Sequence, residues 1–257
     1  VAVLYSLPTF LWDHAVPEFS GRPLSDLGGV ARALEEGHVP YEVVILGMSE
    51  IRPDPFPGTD LSRYRVIVAP SVSLLSEEQV VRLQEFGERG GTLIVVGDLG
   101  TRDEKGLARE TKAREGLRTA RFVKRPLGSG MFPSSRRTES PQLRERWRQL
   151  SDGVRTAVAQ PLVGSTLPRW TWVKTWTHEG GLFSAHFVNY DFDLEGGRAR
   201  PSEPVRVSIR LPGSVEPEEA TWRVPGKPDR QLAFDREPGG ISVLLPSLQL
   251  YGVLVVG

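Results

Sequence analysis

The 257-residue chain contains no cysteine, only two methionines and only five lysines among its 32 basic residues. The absence of cysteine excludes disulfides and thiolate metal sites in this chain and fits a reducing compartment, so we expect a cytoplasmic location. No run approaches the roughly 20 apolar residues of a membrane span, and no secretory signal peptide is visible. Because 32 acidic residues balance the 32 basic ones, the overall charge suggests neither a nucleic-acid nor a membrane partner.

The charge is nevertheless unevenly distributed along the chain. Residues 101–150 contain fourteen Lys or Arg and six Asp or Glu, a local excess of 14 − 6 = +8. No interleaved aromatic residues mark this segment as a nucleic-acid surface. We interpret it as a solvated face or as a contact to an acidic neighbour. Ser140 and Pro141 have the types preferred at the start of a helix, so we expect a helix from there onward.

From residue 1 to about residue 99, short apolar runs alternate with helical patterns. The runs predict four strands: VAVLYS, YEVVIL, YRVIVAP and TLIVV. Between them, Ser76 and Gln79 are spaced as a capping box, and one earlier helical stripe consists of Leu24, Leu27, Val30, Ala31 and Leu34. Strand–helix alternation with short connections predicts a flavodoxin-like parallel sheet. We therefore expect an α/β domain over residues 1–160, which includes a fifth strand at ARFVKR and the basic helical connector.

The pattern after residue 160 is all-β. RWTWVKTWTHEGGLFSAHFVNYD reads as a hairpin with a Glu-Gly-Gly turn, and five more runs follow at near-regular spacing: EPVRVSIRLP, EATWRV, RQLAFD, GISVLLP and YGVLVV. Short strands at this spacing predict a small antiparallel β-sandwich over residues 161–257. The chain opens inside a strand and without methionine, so we expect it to be a piece of a longer protein.

Two parts of the sequence resemble known domains. The segment YRVIVAPSVSLLSEEQVVRLQEFGERGGTLIVVGDLGTRDEKG resembles the class I glutamine amidotransferase-like domain of microbial glycoside hydrolases, in particular the trimerisation domain of a beta-galactosidase family. The later LFSAHFVNYDFD, PVRVSIRLP and YGVLVV resemble the small β-sandwich that closes such bacterial enzymes.

This resemblance implies a non-catalytic accessory or oligomerisation region that acts in carbohydrate metabolism. It implies an upstream catalytic barrel, identical subunits and carbohydrate as partners, and no cofactor. A (β/α)₈ barrel alone needs about 250 residues, so this chain cannot also contain one, and we assign it no catalytic residue.

The resembled amidotransferases carry a cysteine nucleophile where the strand corresponding to TLIVV ends. This chain has Gly97-Asp98 there. A thiolate nucleophile needs sulfur and a neighbouring base, so we interpret the domain as a scaffold that has lost this chemistry. The alternative is a free-standing amidotransferase-like hydrolase, or a protein that binds a small ligand or carbohydrate.

Polar residues follow several predicted strands at the carboxyl edge of the sheet, where open α/β sheets bind ligands. Trp12, Asp13 and His14 follow the first strand in a predicted loop, Ser71 follows the third and Asp98 the fourth. A Ser–His–Asp hydrolase is one interpretation, although no G-x-S-x-G elbow supports it. The other interpretation is a subunit contact or a capped crevice.

Two further groups could bind a ligand in the second half. Trp170, Trp172 and Trp176 alternate onto one strand face, where they could stack sugar rings or, as we expect, form a core or a domain seam with Trp222 and Phe234 of a facing sheet. Asp191, Asp193 and Glu195 resemble the start of a calcium loop, but its twelfth position is Ser202 instead of glutamate. We therefore predict a polar hairpin loop there and no metal.

Overall fold

The computed structural model describes residues 1–15, 22–48, 51, 53–110, 113, 117, 120–123, 127, 140–159, 161–165, 167–193 and 195–257. The chain separates into two compact units. The first unit contains Val1–Ala33 and Tyr41–Ala159, and the second contains Leu34–Pro40 and Gln160–Gly257. The division of the chain into independent domains at 1–160 and 161–257 stays a prediction.

In the described residues of the first unit, five parallel strands form one sheet in the order β2-β1-β3-β4-β5. Their bounds are β1 Ala2–Ser6, β2 Glu42–Leu46, β3 Val66–Leu74, β4 Thr92–Arg102 and β5 Ala120–Val123. The central strand β3 is buried almost throughout, and its neighbour β4 is buried over Leu93–Val96, as expected for a parallel sheet with both faces covered. The parallel α/β prediction is therefore confirmed.

The helices are α1 Leu7–Ala15, α2 Arg22–Glu36, α3 Glu77–Glu88 and α4 Pro141–Val158. The predicted capping box is present at α3: Ser76 N–H donates to Gln79 Oε1 over 2.9 Å, and Gln79 N–H donates to Ser76 Oγ over 3.2 Å. At α4, the Ser140 hydroxyl accepts from the Leu143 N–H over 3.1 Å, with Pro141 in the first helical turn. Among the described residues, no helix combines the length and apolarity that a bilayer crossing requires.

Two details of the first unit differ from the sequence prediction. Strand β4 does not end at Gly97-Asp98 but continues to Arg102, because Gly97 adopts a φ of 78° and the β3–β4 register shifts between Pro70 and Val72. The strand therefore bends at this glycine, which tolerates positive φ, instead of breaking there.

The second difference concerns the buried face of α2. Val30 and Leu34 are buried as predicted, whereas Leu24, Leu27 and Ala31 are only half-buried. Asp26 and Arg32 are buried instead, each only 2% exposed. The buried face of α2 is therefore rotated by a fraction of a turn from the face that the apolar residues predict. The buried contact of Asp26 with Ser71 contributes to this difference.

The second unit contains two larger antiparallel sheets, in the orders β14-β15-β11-β6 and β13-β12-β16-β8-β7, and a small β9–β10 hairpin. The strand bounds are β6 Val163–Ser165, β7 Thr171–Thr177, β8 Phe183–Asn189, β9 Phe192–Asp193, β10 Arg198–Ala199, β11 Val205–Arg210, β12 Ala220–Arg223, β13 Arg230–Gln231, β14 Phe234–Glu237, β15 Gly240–Leu245 and β16 Tyr251–Val256. The two larger sheets share one hydrophobic core, which is the arrangement of a β-sandwich.

The tryptophans of β7 do not form this core. Thr171 and Val173 are buried on the inner face of the sheet, and the period of two places Trp172 and Trp176 on the opposite face. Trp222 belongs to the same sheet as β7, where it packs on Phe187 with ring centroids 5.8 Å apart. The expectation of a core built from Trp170, Trp172 and Trp176 with a facing Trp222 is therefore wrong, whereas the alternative of a domain seam stays a prediction.

We predict that Trp222→Ala and Trp176→Ala differ sharply in their effect on stability. Trp222 is 4% exposed and its ring lies over Gly252, so truncation leaves a cavity that should cost roughly 3–5 kcal/mol. Trp176 is 47% exposed, so its truncation should cost less than about 1 kcal/mol. Urea unfolding of the two variants measures the difference, and equal losses would contradict the assignment of faces.

Candidate functional site at a sheet edge and on an aromatic face

Trp12, Asp13 and His14 lie in α1, because this helix starts directly after β1 without the predicted loop. Asp13 is only 3% exposed. His14 is exposed, and its Nδ1 lies 2.8 Å from the backbone carbonyl of Phe10 one turn earlier. The three residues therefore point in different directions and do not form one polar group.

Trp12 has a packing role at this edge. The guanidinium of Arg102 lies 5.1 Å from the centre of its ring, within the range of a cation–π contact. Gly106, whose φ is 84°, also packs against the indole ring of Trp12. A Cβ at this glycine would come within 2.1 Å of the indole, so only glycine fits there.

Ser71 is the residue of the sheet edge with unusual backbone geometry. Its φ of 49° lies in the left-handed region, which is uncommon for a residue with a side chain. Its hydroxyl donates to Oδ2 of Asp26, and both side chains are buried. Strain of this kind often marks functional positions, but here the serine is paired with a carboxylate instead of a histidine.

The predicted edge residues therefore do not assemble into a nucleophile–base pair. Ser71 is bonded to Asp26, His14 to the backbone of Phe10, and Asp98 is exposed on β4. The sequence reasoning missed Asp26. Its position beside the apolar stripe of α2 was the available signal, since a carboxylate there must either face solvent or find a buried donor.

The three tryptophans at β7 have three different environments. The guanidinium of Arg169 covers Trp170 at 4.3 Å, and Tyr190 packs on Trp172 with centroids 3.9 Å apart. Trp176 is the most exposed of the three and contacts the His186 ring edge-on, with centroids 4.4 Å apart. Of the predicted sugar-stacking residues, only Trp176 therefore retains a large accessible ring.

A continuous chain of polar side chains runs beside Trp176. His178 Nε2 lies 2.8 Å from Ser184 Oγ, which lies 3.3 Å from His186 Nε2. His186 Nδ1 in turn lies 2.5 Å from the Tyr251 hydroxyl. These four residues and Trp176 are called the aromatic patch below. Burial, and secondly the charge of nearby His178, lower the pKa of His186 below its usual value.

The carboxylates of the predicted calcium-like loop have protein partners. Asp193 Oδ1 accepts from the backbone N–H groups of Glu195 and Gly196, and Arg200 lies within 4 Å of both Asp191 and Asp193. The hydrogen bond from Gly196 is the main cause that lowers the pKa of Asp193. In the part of the chain that the structure describes, no three His, Asp or Glu side chains are placed to share a metal ion.

Some charges of the basic 101–150 segment are paired within the chain. Arg148 on α4 bonds to Glu145 over 2.7 Å and to Asp152 over 2.8 Å. Arg109 pairs with Glu77 and donates to the carbonyl of Leu75 over 2.6 Å. Most of residues 111–139 lie outside the described residues, so the proposed acidic neighbour of this segment stays a prediction.

We predict that His186→Gln reduces the loss of stability on acidification. Because the pKa of His186 in the folded state lies below the ordinary value of 6.5, the unfolded chain takes up its proton first as the pH falls, and stability is lost below that value. Urea unfolding between about pH 7.5 and pH 5 should therefore show a smaller pH slope for the variant. Parallel slopes for both proteins would contradict this prediction.

The comparisons with known proteins place a family domain in the first unit. Residues 56–120 match the family model of the beta-galactosidase trimerisation domain, which contains β3, α3 and β4. No curated protein matches the chain. The resemblance that the sequence carries is thus confirmed for the trimerisation domain.

Several solved structures share the fold over nearly the whole chain. An alpha-L-fucosidase isoenzyme 2 from Paenibacillus thiaminolyticus aligns over 99% of this chain with a TM-score of 0.59 and 14% identity. A GH42 beta-galactosidase from G. stearothermophilus aligns over 99% with a TM-score of 0.58 and 15% identity. A beta-galactosidase from Bacillus circulans sp. alkalophilus aligns over 100% with a TM-score of 0.57 and 12% identity.

The chain spans 48%, 40% and 41% of these three proteins, that is, less than half of each. At these identities the alignments establish the fold alone, and the family assignment rests on the matched segment. Residues 56–120 thus match the beta-galactosidase trimerisation domain, within a chain that has the fold of part of these glycoside hydrolases.

Proposed function

We propose that this chain is the non-catalytic accessory and oligomerisation region of a glycoside hydrolase related to the beta-galactosidases. The observation that carries the proposal is the match of residues 56–120 to the trimerisation domain. The whole chain aligns with less than half of a GH42 beta-galactosidase, which leaves room in such an enzyme for a separate catalytic barrel. The partners would be that barrel and identical subunits, in a cytoplasmic enzyme.

The scaffold of the first unit would be flavodoxin-like, of the class I glutamine amidotransferase type. The strand order β2-β1-β3-β4-β5 supports this proposal, since 2-1-3-4-5 is the order of flavodoxin-type sheets.

The exposed residues of the sheet edge would serve as a subunit contact. His14 and Asp98 are exposed, and Leu11 on the same helix is 36% exposed. Further apolar exposure occurs at Leu107, which is 65% exposed in the turn after β4. Exposed apolar residues rimmed by polar ones are typical of protein interfaces.

The alternative of a free-standing hydrolase has no supporting observation. Cysteine is absent, and the geometry of Ser71 and His14 lacks the bonded nucleophile and base that acyl transfer requires.

We predict that the purified chain self-associates at micromolar concentration and that Leu107→Glu weakens the association by about tenfold or more. The physical reason is that a charge replaces an apolar side chain in the matched trimerisation segment. Sedimentation equilibrium measures both proteins against the monomer mass of 28.4 kDa.

Leu244→Glu is the matched control for this experiment. Leu244 is also half-exposed, at 50%, but belongs to β15 of the second unit, so its substitution should leave the association unchanged. A monomer at every concentration would contradict the proposed function, and equal effects of both substitutions would contradict the assigned surface.

We also predict that the purified chain hydrolyses neither nitrophenyl glycosides nor glutamine. The reason is that Ser71 is bonded to Asp26 and is 2% exposed, while no thiol exists in the chain. Release of nitrophenol and of ammonia, measured after two independent purification schemes, checks this. Turnover that persists in the pure protein and disappears in Ser71→Ala would favour the hydrolase alternative instead.

A further inference from the structure

The aromatic patch combines an accessible indole with polar groups on the outer face of one sheet. Strand pairing places Trp176 opposite Ser184, and His186 opposite Val253 of β16. Val253 and Val255 continue this face as half-buried apolar residues. The result is a surface that is partly aromatic and partly aliphatic and that carries hydrogen-bonding groups.

The hydrogen bonds of the patch can run in either direction. If Tyr251 donates to His186, then His186 donates to Ser184 and Ser184 to His178, whose second ring N–H remains for an external acceptor. In the reverse direction, His178 donates first and the Tyr251 hydroxyl proton remains. Both directions use neutral side chains only, because each imidazole donates at one nitrogen and accepts at the other.

A row of neutral side chains whose hydrogen bonds can run in either direction favours a particular kind of ligand. A sugar hydroxyl can donate and accept, so it matches the patch in either direction, whereas a carboxylate only accepts and an ammonium only donates. The apolar face of a pyranose ring also matches an exposed aromatic ring, which is large, flat and rigid. We propose that the aromatic patch binds a neutral sugar ring, stacked on Trp176, with its hydroxyls bonded to Tyr251 or His178.

The environment of the patch is consistent with a neutral ligand. Burial and the neighbouring His178 favour uncharged His186. The charged residue directly opposite His186 in the strand pair is Lys174, and it has an interaction partner of its own. A comparison of neutral with acidic sugars is therefore informative. If the charge of Lys174 governed binding, acidic sugars would bind more tightly, whereas the neutral hydrogen-bonded side chains of the patch do not favour them.

The test is native affinity electrophoresis of the 257-residue chain in gels that contain soluble galactan or, in parallel, polygalacturonate. The choice of galactan as the test polysaccharide rests on the proposed function. The site itself rests on the geometry of the aromatic patch and does not depend on that proposal. We expect galactan to retard the chain more than polygalacturonate does. Trp176→Ala should bind galactan about tenfold more weakly or worse, and Trp176→Phe should retain part of the binding because it keeps an aromatic face.

Two further variants separate stacking from hydrogen bonding. Tyr251→Phe keeps the ring and removes the hydroxyl, so we expect a loss of roughly two- to tenfold, as for one hydrogen bond. Leu244→Ala is the matched control: Leu244 is similarly exposed, at 50%, on the outer face of the other sheet, and should bind like the unchanged chain. Unfolding curves verify that each variant is folded.

Three results would overturn the proposal: no retardation of the unchanged chain by galactan, equal retardation of Trp176→Ala, or stronger retardation by polygalacturonate. Sedimentation of the same samples measures self-association independently. Lost sugar binding with intact self-association would reject the sugar site alone, and a monomer that still binds galactan through Trp176 would reject the proposed function alone.

Discussion

The pairing of β3 with β4 is the interaction on which the first unit depends. Strand β3 is the middle strand of the five-stranded sheet and β4 is its neighbour, and their apolar residues contribute a large part of its core. The pairing continues past the point where parallel strands usually end, through a register shift between Pro70 and Val72. This extension forces Ser71 into the left-handed region, with Asp26 as its buried partner. At this edge of the sheet, Ser71 and Asp26 therefore bond to each other as part of the buried structure.

The parts of the fold that local patterns determine could be predicted from the sequence. The alternation of apolar runs and helices led to the parallel sheet, and the Ser76–Gln79 spacing led to the start of α3, because both depend on neighbouring residues alone. The contact of Ser71 with Asp26 could not be predicted, since it joins residues 45 positions apart. A carboxylate on a helix is normally taken as solvent-facing, and only the tertiary contact reverses that expectation.

The β7 tryptophans show a different limit of sequence reasoning. Alternation correctly placed Trp172 and Trp176 on one face, whereas Trp170 lies in the turn before β7. Alternation does not say which face is buried, and a choice of the wrong face exchanges core and surface for the whole strand. From the sequence, the large side chains of the tryptophans favour them as core residues. The structure instead buries Thr171 and Val173, because Phe183, Phe187 and Trp222 already fill the inner face. The candidate site changed accordingly, from three residues to Trp176 and the histidines beside it, which sequence reasoning had not connected.

The position of β16 has a consequence for how the second unit folds. This strand lies between β12 and β8, so the five-stranded sheet is continuous only after the segment latest in sequence has paired on both sides. Contacts between such distant segments carry a large loop-closure cost and slow the folding of all-β domains. The His186–Tyr251 hydrogen bond spans 65 positions across this pair, so it forms only when these distant segments have paired. The ring of Trp176 rests against His186, so its fluorescence is placed to report the formation of this long-range pairing.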